Sequence, residues 1–408
     1  MKLIKYQYIM SKKLLALLCI VPMLTFCTPD NPKPIDNPDD PTDQPENPDP
    51  EEEAIPDEIV NGSTILVTNE VIEDFMVNVT YPEHDYTDTK IAGKKYKDYS
   101  VSPAQFDMPP QYSIRWTDGD VAFGEEAIAT LTEEGSGKVF EFTPSDSDTK
   151  YVIVSNLLPN AKYNYVLKAA DSGKEIKKGS FSTKGHLHHL NFKAKVRNCR
   201  DLGGWKTKDG KVVKYRMVYR GGRLETRSST VTGKGIKQVK AEGIKAQLDL
   251  RGQSDVLSAP ADPYLDFCAP VIEEGYTQFL RDDKPKMKQC FEYVVKCVRE
   301  DKPVYYHCSL GRDRTGTLTM VLLGVLGVDE GDISKEYELT QFAPYGYSVS
   351  SGEKTQMTRK VDYKSAATFI WDNYAKGGSF AQGVEAYLLE IGVSQKDIDD
   401  FRKIMLTN

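Results

Sequence analysis

The stretch His307-Cys308-Ser309-Leu310-Gly311-Arg312-Asp313-Arg314-Thr315 sets a thiol and a guanidinium with five residues between them, one of them a glycine. That spacing suits chemistry on a phosphoryl group. Successive backbone N–H groups leading into a helix N-terminus make a concave nest for a phosphate dianion, and the helix dipole adds positive potential. The same field favours the thiolate of Cys308, which is the nucleophilic form. Gly311 lets the backbone turn tightly around the anion. Arg314 offers two parallel N–H donors to its equatorial oxygens, a geometry lysine cannot reproduce. Ser309, Leu310, Gly311, Arg312 and Thr315 complete the substrate-binding loop. A phosphocysteine would form there, and water would hydrolyse it. The leaving oxygen needs a proton, for which Asp313 is the nearby carboxyl. Asp282 and Asp283 are rivals, although a solvated helix N-terminus also accounts for acids at their position.

A Cys-x5-Arg pair alone is weak in a chain with seven cysteines. Its surroundings strengthen it. Pro303 to Tyr306 reads as a strand and Arg314 to Leu326 as an apolar helix, so the motif is the loop of a strand–loop–helix unit. Upstream, Val212 to Arg220 and Ile244 to Arg251 have strand character, and Met287, Phe291, Val294 and Val298 recur at helical spacing within Lys284 to Arg299. From Leu190 onward the chain is therefore expected to be an α/β domain with a central sheet flanked by helices. Arg200, Asp201, Asp249 and Arg251 fall near strand ends, where they either brace the loop or form ordinary buried ion pairs. His307 is expected to orient the loop by hydrogen bonding to backbone.

The loop resembles that of the atypical bacterial tyrosine phosphatases, His-Cys-x-x-Gly-Lys-Asp-Arg-Thr-Gly. Further stretches carry the likeness: Arg197-Asn198-Cys199-Arg200-Asp201-Leu202-Gly203-Gly204, Val218-Tyr219-Arg220-Gly221-Gly222-Arg223-Leu224, Leu248-Asp249-Leu250-Arg251, Leu326-Gly327-Val328 with Tyr337, and Tyr387-Leu388 with Ile391-Gly392-Val393. The resemblance covers residues 190–408. It implies a tyrosine-phosphatase-like catalytic domain acting on phosphotyrosine or with dual specificity, with the acid role falling to Asp313. Arg312 stands where the family usually has lysine, and hydrolysis of phosphoinositides or inositol phosphates is the alternative. A second alternative is a non-catalytic binding protein that works through its N-terminal part.

Between Ile59 and Thr183, short alternating runs such as Thr64 to Val67, Tyr112 to Trp116 and Tyr151 to Val154 are punctuated by turn residues, which predicts a β-sandwich over 59–184. Leu157-Leu158-Pro159-Asn160-Ala161-Lys162-Tyr163-Asn164-Tyr165-Val166-Leu167-Lys168-Ala169, with Phe181-Ser182-Thr183, resembles the late strands of fibronectin type III domains. His186, His188 and His189 follow it as a solvated linker, without partners of metal-site spacing. The chain is thus expected to be multidomain, a fibronectin type III-like sandwich followed by the α/β domain.

Residues 1–27 combine Lys2, Lys5, Lys12 and Lys13 with an apolar run ending at Cys27, the plan of an export signal. Leu24-Thr25-Phe26-Cys27 resembles a bacterial lipobox, in which the cysteine is lipidated; Phe26 stands where a small residue is usual. Residues 28–58 hold nine prolines, twelve acidic residues and one lysine, an acidic tether unable to bury a core. Extended, it would reach about 90 Å at ~3.1 Å per residue. The −11 of this tether and the +4 of the signal lysines make up the net charge of −7 and leave the folded part neutral, so nothing there suggests a nucleic-acid footprint. The expected setting is a membrane-anchored exported protein, held through Cys27 only, with a phosphorylated protein or phosphoinositide as substrate. Of the remaining cysteines, Cys199, Cys268, Cys290, Cys297 and Cys308, buried thiols are expected. Cys290 and Cys297 lie too far apart along one helix to bridge. No metal ligand spacing or cofactor motif is present, so none is expected.

Overall fold

The computed structural model describes residues 55–84, 100–101, 109–122, 124–192, 196–225, 233–342, 355–356 and 361–407. The expected signal over 1–27, its Cys27 and the tether up to residue 54 lie outside the described residues.

In the N-terminal part, β1 (Thr64–Leu66) precedes helix α1 (Glu70–Asn78), and β2 (Ser100–Val101) follows it. Next come β3 (Tyr112–Arg115), β4 (Ala127–Glu133), β5 (Val139–Phe142), β6 (Tyr151–Val154), β7 (Lys162–Ala169) and β8 (Glu175–Lys184). One sheet runs β1-β8-β7-β4-β5, and β3 pairs with β6 separately. Along β4 and β7 burial alternates residue by residue, as a half-buried strand requires. The inward set, including Ile114, Trp116, Leu131, Phe140, Val152, Tyr163 and Leu167, forms one apolar cluster. Helix α1 departs from the all-β expectation for 59–184. Asn69 caps it by accepting from the Ile72 amide, and its Ile72, Phe75 and Met76 join the large core of the C-terminal part instead.

That C-terminal part is built on β9 (Arg200–Asp201), β10 (Val212–Val213), β11 (Val218–Gly221), β12 (Ala246–Asp249), β13 (Asp266–Cys268) and β14 (Val304–His307). The sheet order is β13-β12-β14-β11-β9, parallel except at β9. Alternate residues serve opposite faces. Val218, Val304 and Tyr306 enter the large core, while Tyr219 and Tyr305 enter a smaller cluster with Val239 and Ile244. On the smaller side lies α2 (Gly233–Glu242). The larger core takes α3 (Tyr276–Arg281), α4 (Lys284–Arg299), α5 (Asp313–Leu326), α6 (Glu330–Glu338), α7 (Val361–Ile370), α8 (Phe380–Glu390) and α9 (Gln395–Met405). β15 (Thr355–Gln356) pairs with β2, and β16 (Leu406–Thr407) with β10.

Helix α4 spans the residues its apolar spacing predicts, with Met287, Cys290, Phe291, Val294 and Val298 buried. The run Val212 to Arg220 behaves differently. It divides at Arg216, whose φ is +64°, so that β10 and β11 enter separate sheets. No helix among the described residues is long and apolar enough to cross a membrane.

Candidate active site

β14 is the central strand, with β12 on one side and β11 on the other. Its C-terminal end brings His307 into register with Gly221 and Asp249, and the chain then turns through Cys308 to Arg312 into α5. A loop at the carboxyl end of a central parallel strand is the usual crevice for a ligand in an open α/β sheet. Gly311 adopts φ +71°, and a Cβ there would run into the Gly221 carbonyl and come within 2.7 Å of the Gly222 nitrogen. Only glycine fits that turn.

The backbone amides of Ser309, Leu310, Gly311 and Arg312, with those of Asp313 and Arg314, donate to no carbonyl or side chain among the described residues. They are the orphan donors of a helix start extended backwards through the loop, an arrangement suited to an anion. Helix α5 has no side-chain cap from Arg312, which leaves those donors available.

Cys308 is buried. Burial opposes its thiolate, but the Arg314 guanidinium and the neighbouring Thr315 hydroxyl and amide outweigh this and hold the thiol below its ordinary pKa, against the contrary charge of Asp313. The Thr315 hydroxyl, itself buried, has no oxygen or nitrogen partner among the described residues. Arg314 donates through Nη1 to the Ile272 carbonyl at 2.9 Å, which leaves its remaining N–H donors for a phosphoryl group. Asp313 opens α5 half-exposed, and its Oδ1 accepts from Arg312 Nε at 2.9 Å and from the Tyr276 hydroxyl.

Two buried arginine networks hold the loop from behind. In the first, Glu336 of α6 accepts from Arg200 Nε at 2.7 Å and from Arg220 Nη1 at 2.9 Å, while Arg220 Nη2 donates to the Gly311 carbonyl. Asn198 Nδ2 donates to the same carbonyl at 3.0 Å and, through Oδ1, accepts from Arg200. Burial, with the charge of Arg220 beside it, pushes Arg200 down to about 10. In the second network Arg251 forks onto Asp249, with Nη2 to Oδ2 at 2.7 Å, and also reaches Glu225 at 2.5 Å. Gln247 Nε2 donates to both Glu225 oxygens and to His307 Nε2 at 2.8 Å, so the His307 proton sits on Nδ1 and is given to the Cys308 carbonyl at 3.1 Å. His307 thus orients backbone. Burial would raise the Asp249 carboxyl, but His307 and Arg251 hold it below its usual value, whereas burial raises that of Glu225. Glu225, Asp249 and His307 have ligand atoms within 4.8 Å of one another. The Arg251 guanidinium already bridges the two carboxylates, and a cation does not fit beside it.

The four residues expected near strand ends are therefore divided. Arg200, Asp249 and Arg251 belong to these networks. Asp201 does not: it accepts from the Gly203 and Arg216 amides and faces His188 at 3.0 Å. His188, expected in a solvated linker, is fully buried and meets the Asn156 carbonyl across the boundary with the β part at 3.1 Å; His189 is buried as well. Asp282 pairs with Arg281 at the surface and Asp283 with Lys286 at the start of α4. Ser309 turns its hydroxyl to Asp255. Arg220, Glu225, Gln247, Tyr276 and Glu336 carry much of this geometry without being singled out by sequence. A charged residue within an otherwise apolar strand, as at Arg220, is the signal that could mark one of them.

Residues 193–407, more than half of the chain, match the model of the tyrosine phosphatase family. The chain is 27% identical over 148 residues to the tyrosine-protein phosphatase of Nostoc commune, covering 32% of this chain and 48% of that one. It is 25% identical over 174 residues to a provisionally named tyrosine-protein phosphatase of Cupriavidus necator, covering 37% and 62%. The match thus spans about half the length of the first relative and under two thirds of the second. Among solved structures, Pseudomonas aeruginosa TpbA aligns over 44% of this chain and 89% of its own at 15% identity and a TM-score of 0.27. A cysteine-to-serine form of that protein, in complex with phosphotyrosine, aligns over 45% and 91% at 14% identity and a TM-score of 0.27. By the family model's span, this chain belongs to the tyrosine phosphatase family.

Proposed function

We propose that the chain is a phosphomonoester hydrolase that works through a phosphocysteine intermediate, with phosphotyrosine as its preferred substrate. The observation that carries this is the ring of unpaired amides from Ser309 to Arg314 around a thiol whose thiolate is favoured by Arg314 and Thr315. In the first step Cys308 Sγ forms a bond to phosphorus as the ester P–O bond breaks. The leaving oxygen keeps the electron pair and takes the proton of Asp313. In the second step the Asp313 carboxylate takes a proton from water as the water oxygen attacks phosphorus, and the thiolate leaves. Throughout, Arg314 and the loop amides hold the equatorial oxygens, where charge develops. Cys308→Ser is expected to abolish turnover of p-nitrophenyl phosphate and of phosphotyrosine peptides while the melting curve is kept; retained turnover sinks the reading.

Serine and threonine phosphates are secondary substrates in this reading, since an acid within the loop serves alkoxide leaving groups too. The phosphoinositide alternative is less supported, because the Arg312 guanidinium that motivates it is engaged with Asp313. Parallel assays on phosphopeptides and inositol lipids separate the two. The N-terminal β part is proposed as a fibronectin type III-like module that carries the catalytic part. The enzyme is proposed to be exported and held on a membrane anchor, a reading supported by the signal-like plan of residues 1–27, the lipobox-like Cys27 and the acidic tether, and tested by labelling with a palmitate analogue and fractionation.

A further inference from the structure

Asp313 has two carboxylate oxygens in unequal surroundings. Oδ1 accepts from the Tyr276 hydroxyl and from Arg312 Nε, while Oδ2 takes no hydrogen bond among the described residues. A neutral carboxyl carries its proton on one oxygen. Two donors already point at Oδ1, so a proton there would meet two others. We propose that Tyr276 is a positioning residue for the proton donor, occupying Oδ1 with Arg312 so that the proton bound for the leaving oxygen is held on Oδ2. This rests on the functional reading above, in which Asp313 is the acid.

The turn that carries Tyr276 is built for this placement. Tyr276 has φ +52° and Val271 φ +57°, the latter a conformation that β-branched residues rarely adopt. Such outliers are costly and persist where surrounding contacts fix them. The contacts are present. The Tyr276 amide donates to Thr317 Oγ1 at 2.8 Å, and Thr317 Oγ1 donates in turn to the Asp313 carbonyl at 2.9 Å. Gly275 has no side chain to hold the turn off α5; a Cβ there would stand 3.2 Å from Asp313 Cβ. Behind the ring, the Tyr276 and Tyr337 oxygens lie 2.5 Å apart, so Tyr337 can donate to Tyr276 while Tyr276 donates to Asp313. Tyr337 is itself fixed, stacked on Tyr363 with centroids 4.8 Å apart and pressed onto Gly316, where a Cβ would come within 2.6 Å of its ring. Burial, reinforced by Tyr337 and Asp313, keeps the Tyr276 phenol protonated and hence a donor. The same turn presents the Ile272 carbonyl to Arg314, so one segment aims both the acid and the anion-binding arginine.

When the ester P–O bond breaks, its electron pair stays on the leaving oxygen, which receives the Oδ2 proton. The carboxylate charge left behind then lies against the Arg312 and Tyr276 donors at Oδ1. Removing the Tyr276 hydroxyl should therefore matter in proportion to the need for that proton. The test compares kcat for p-nitrophenyl phosphate, whose leaving group needs little help, with kcat for phenyl phosphate, in the wild type, Tyr276→Phe, Asp313→Asn and the double variant. Tyr276→Phe is expected to lose roughly 10-fold on phenyl phosphate and less than about 2-fold on p-nitrophenyl phosphate, with KM unchanged. In the Asp313→Asn background the same change is expected to add less than about 2-fold. Equal losses on both substrates, or losses that multiply in the double variant, overturn the assignment. Tyr337→Phe, which leaves the Tyr276 contact in place, should show a smaller loss of the same selectivity; selectivity lost there and in Tyr276→Phe alike also overturns it. A Cys308→Ser protein that still turns over either substrate would instead defeat the functional reading.

Discussion

Cys308 lies in surroundings that would silence most thiols. Cys290 and Cys297 show the ordinary outcome: burial raises both, Cys297 to about 12, and burial raises Cys268 too. Cys308 moves the other way because Arg314 and Thr315 favour its charged form by more than burial disfavours it. With the pKa lowered, the thiolate persists to a lower pH than in a free cysteine, for which the value is about 8.5. Iodoacetamide should therefore inactivate the enzyme with a pH midpoint below that of free cysteine, and phosphate should protect. Arg314→Met should move the midpoint upward, and a wild-type midpoint at or above the free value contradicts the geometry. Much of this site is legible in sequence because the loop is contiguous: thiol, glycine, acid and arginine fall within seven residues, Cys308 to Arg314. Its positioning residues are not. Tyr276 and Asp313 are 37 residues apart and Arg220 and Gly311 are 91 apart, and no local periodicity announces a contact made only when strands and helices assemble.

Helices and strands show the same division. Lys284–Arg299 is amphipathic over four turns, so its boundaries follow from spacing alone. Helix α1 is nine residues long and lies between strands, and its apolar positions do not disclose which core they serve. Fold assembly decides it. Phe75 is completely buried and meets Phe342 edge-on at 5.3 Å, Lys335 Nζ donates to the Met76 carbonyl at 3.0 Å, and the Tyr81 carbonyl lies where a side chain at Gly331 would be. The helix thus backs α6, the element whose Glu336 holds Arg200 and Arg220 under the loop. Phe75→Ala is expected to cost about 3–5 kcal/mol, read from urea unfolding. The midpoint for loss of phosphatase activity should fall together with the spectroscopic one. A shift confined to the β part would mean that α1 belongs to it energetically.

At the scale of the folded chain, the β part and the catalytic part share a buried ionic contact. Arg216, at the break between β10 and β11, reaches Glu133 of β4 at 2.8 Å on one side and Glu242 of α2 on the other, and lies over the Phe140 ring at 4.8 Å. Burial opposes the Arg216 charge, but Glu242 and Glu133 hold it firmly protonated; burial likewise opposes the Glu133 charge, which Arg216 restores and holds below the usual carboxyl range. Tyr163 donates to the same Glu133 at 2.7 Å, and Lys138 reaches the Glu242 carbonyl at 2.6 Å. A contact of this kind need not add net stability, because desolvating the charges offsets much of their attraction. Removing its centre is another matter, since two buried carboxylates then lose the guanidinium that pairs with both. Arg216→Ala is therefore expected to cost about 3–5 kcal/mol. Trp116 sits in the β core and Trp205 in the catalytic core, so each can report its own part. In the wild type, single-tryptophan variants of the two should melt in one coincident transition. In Arg216→Ala the β reporter and the catalytic reporter should both shift downward. If the catalytic reporter keeps its midpoint, the two parts fold independently and the shared contact carries no coupling.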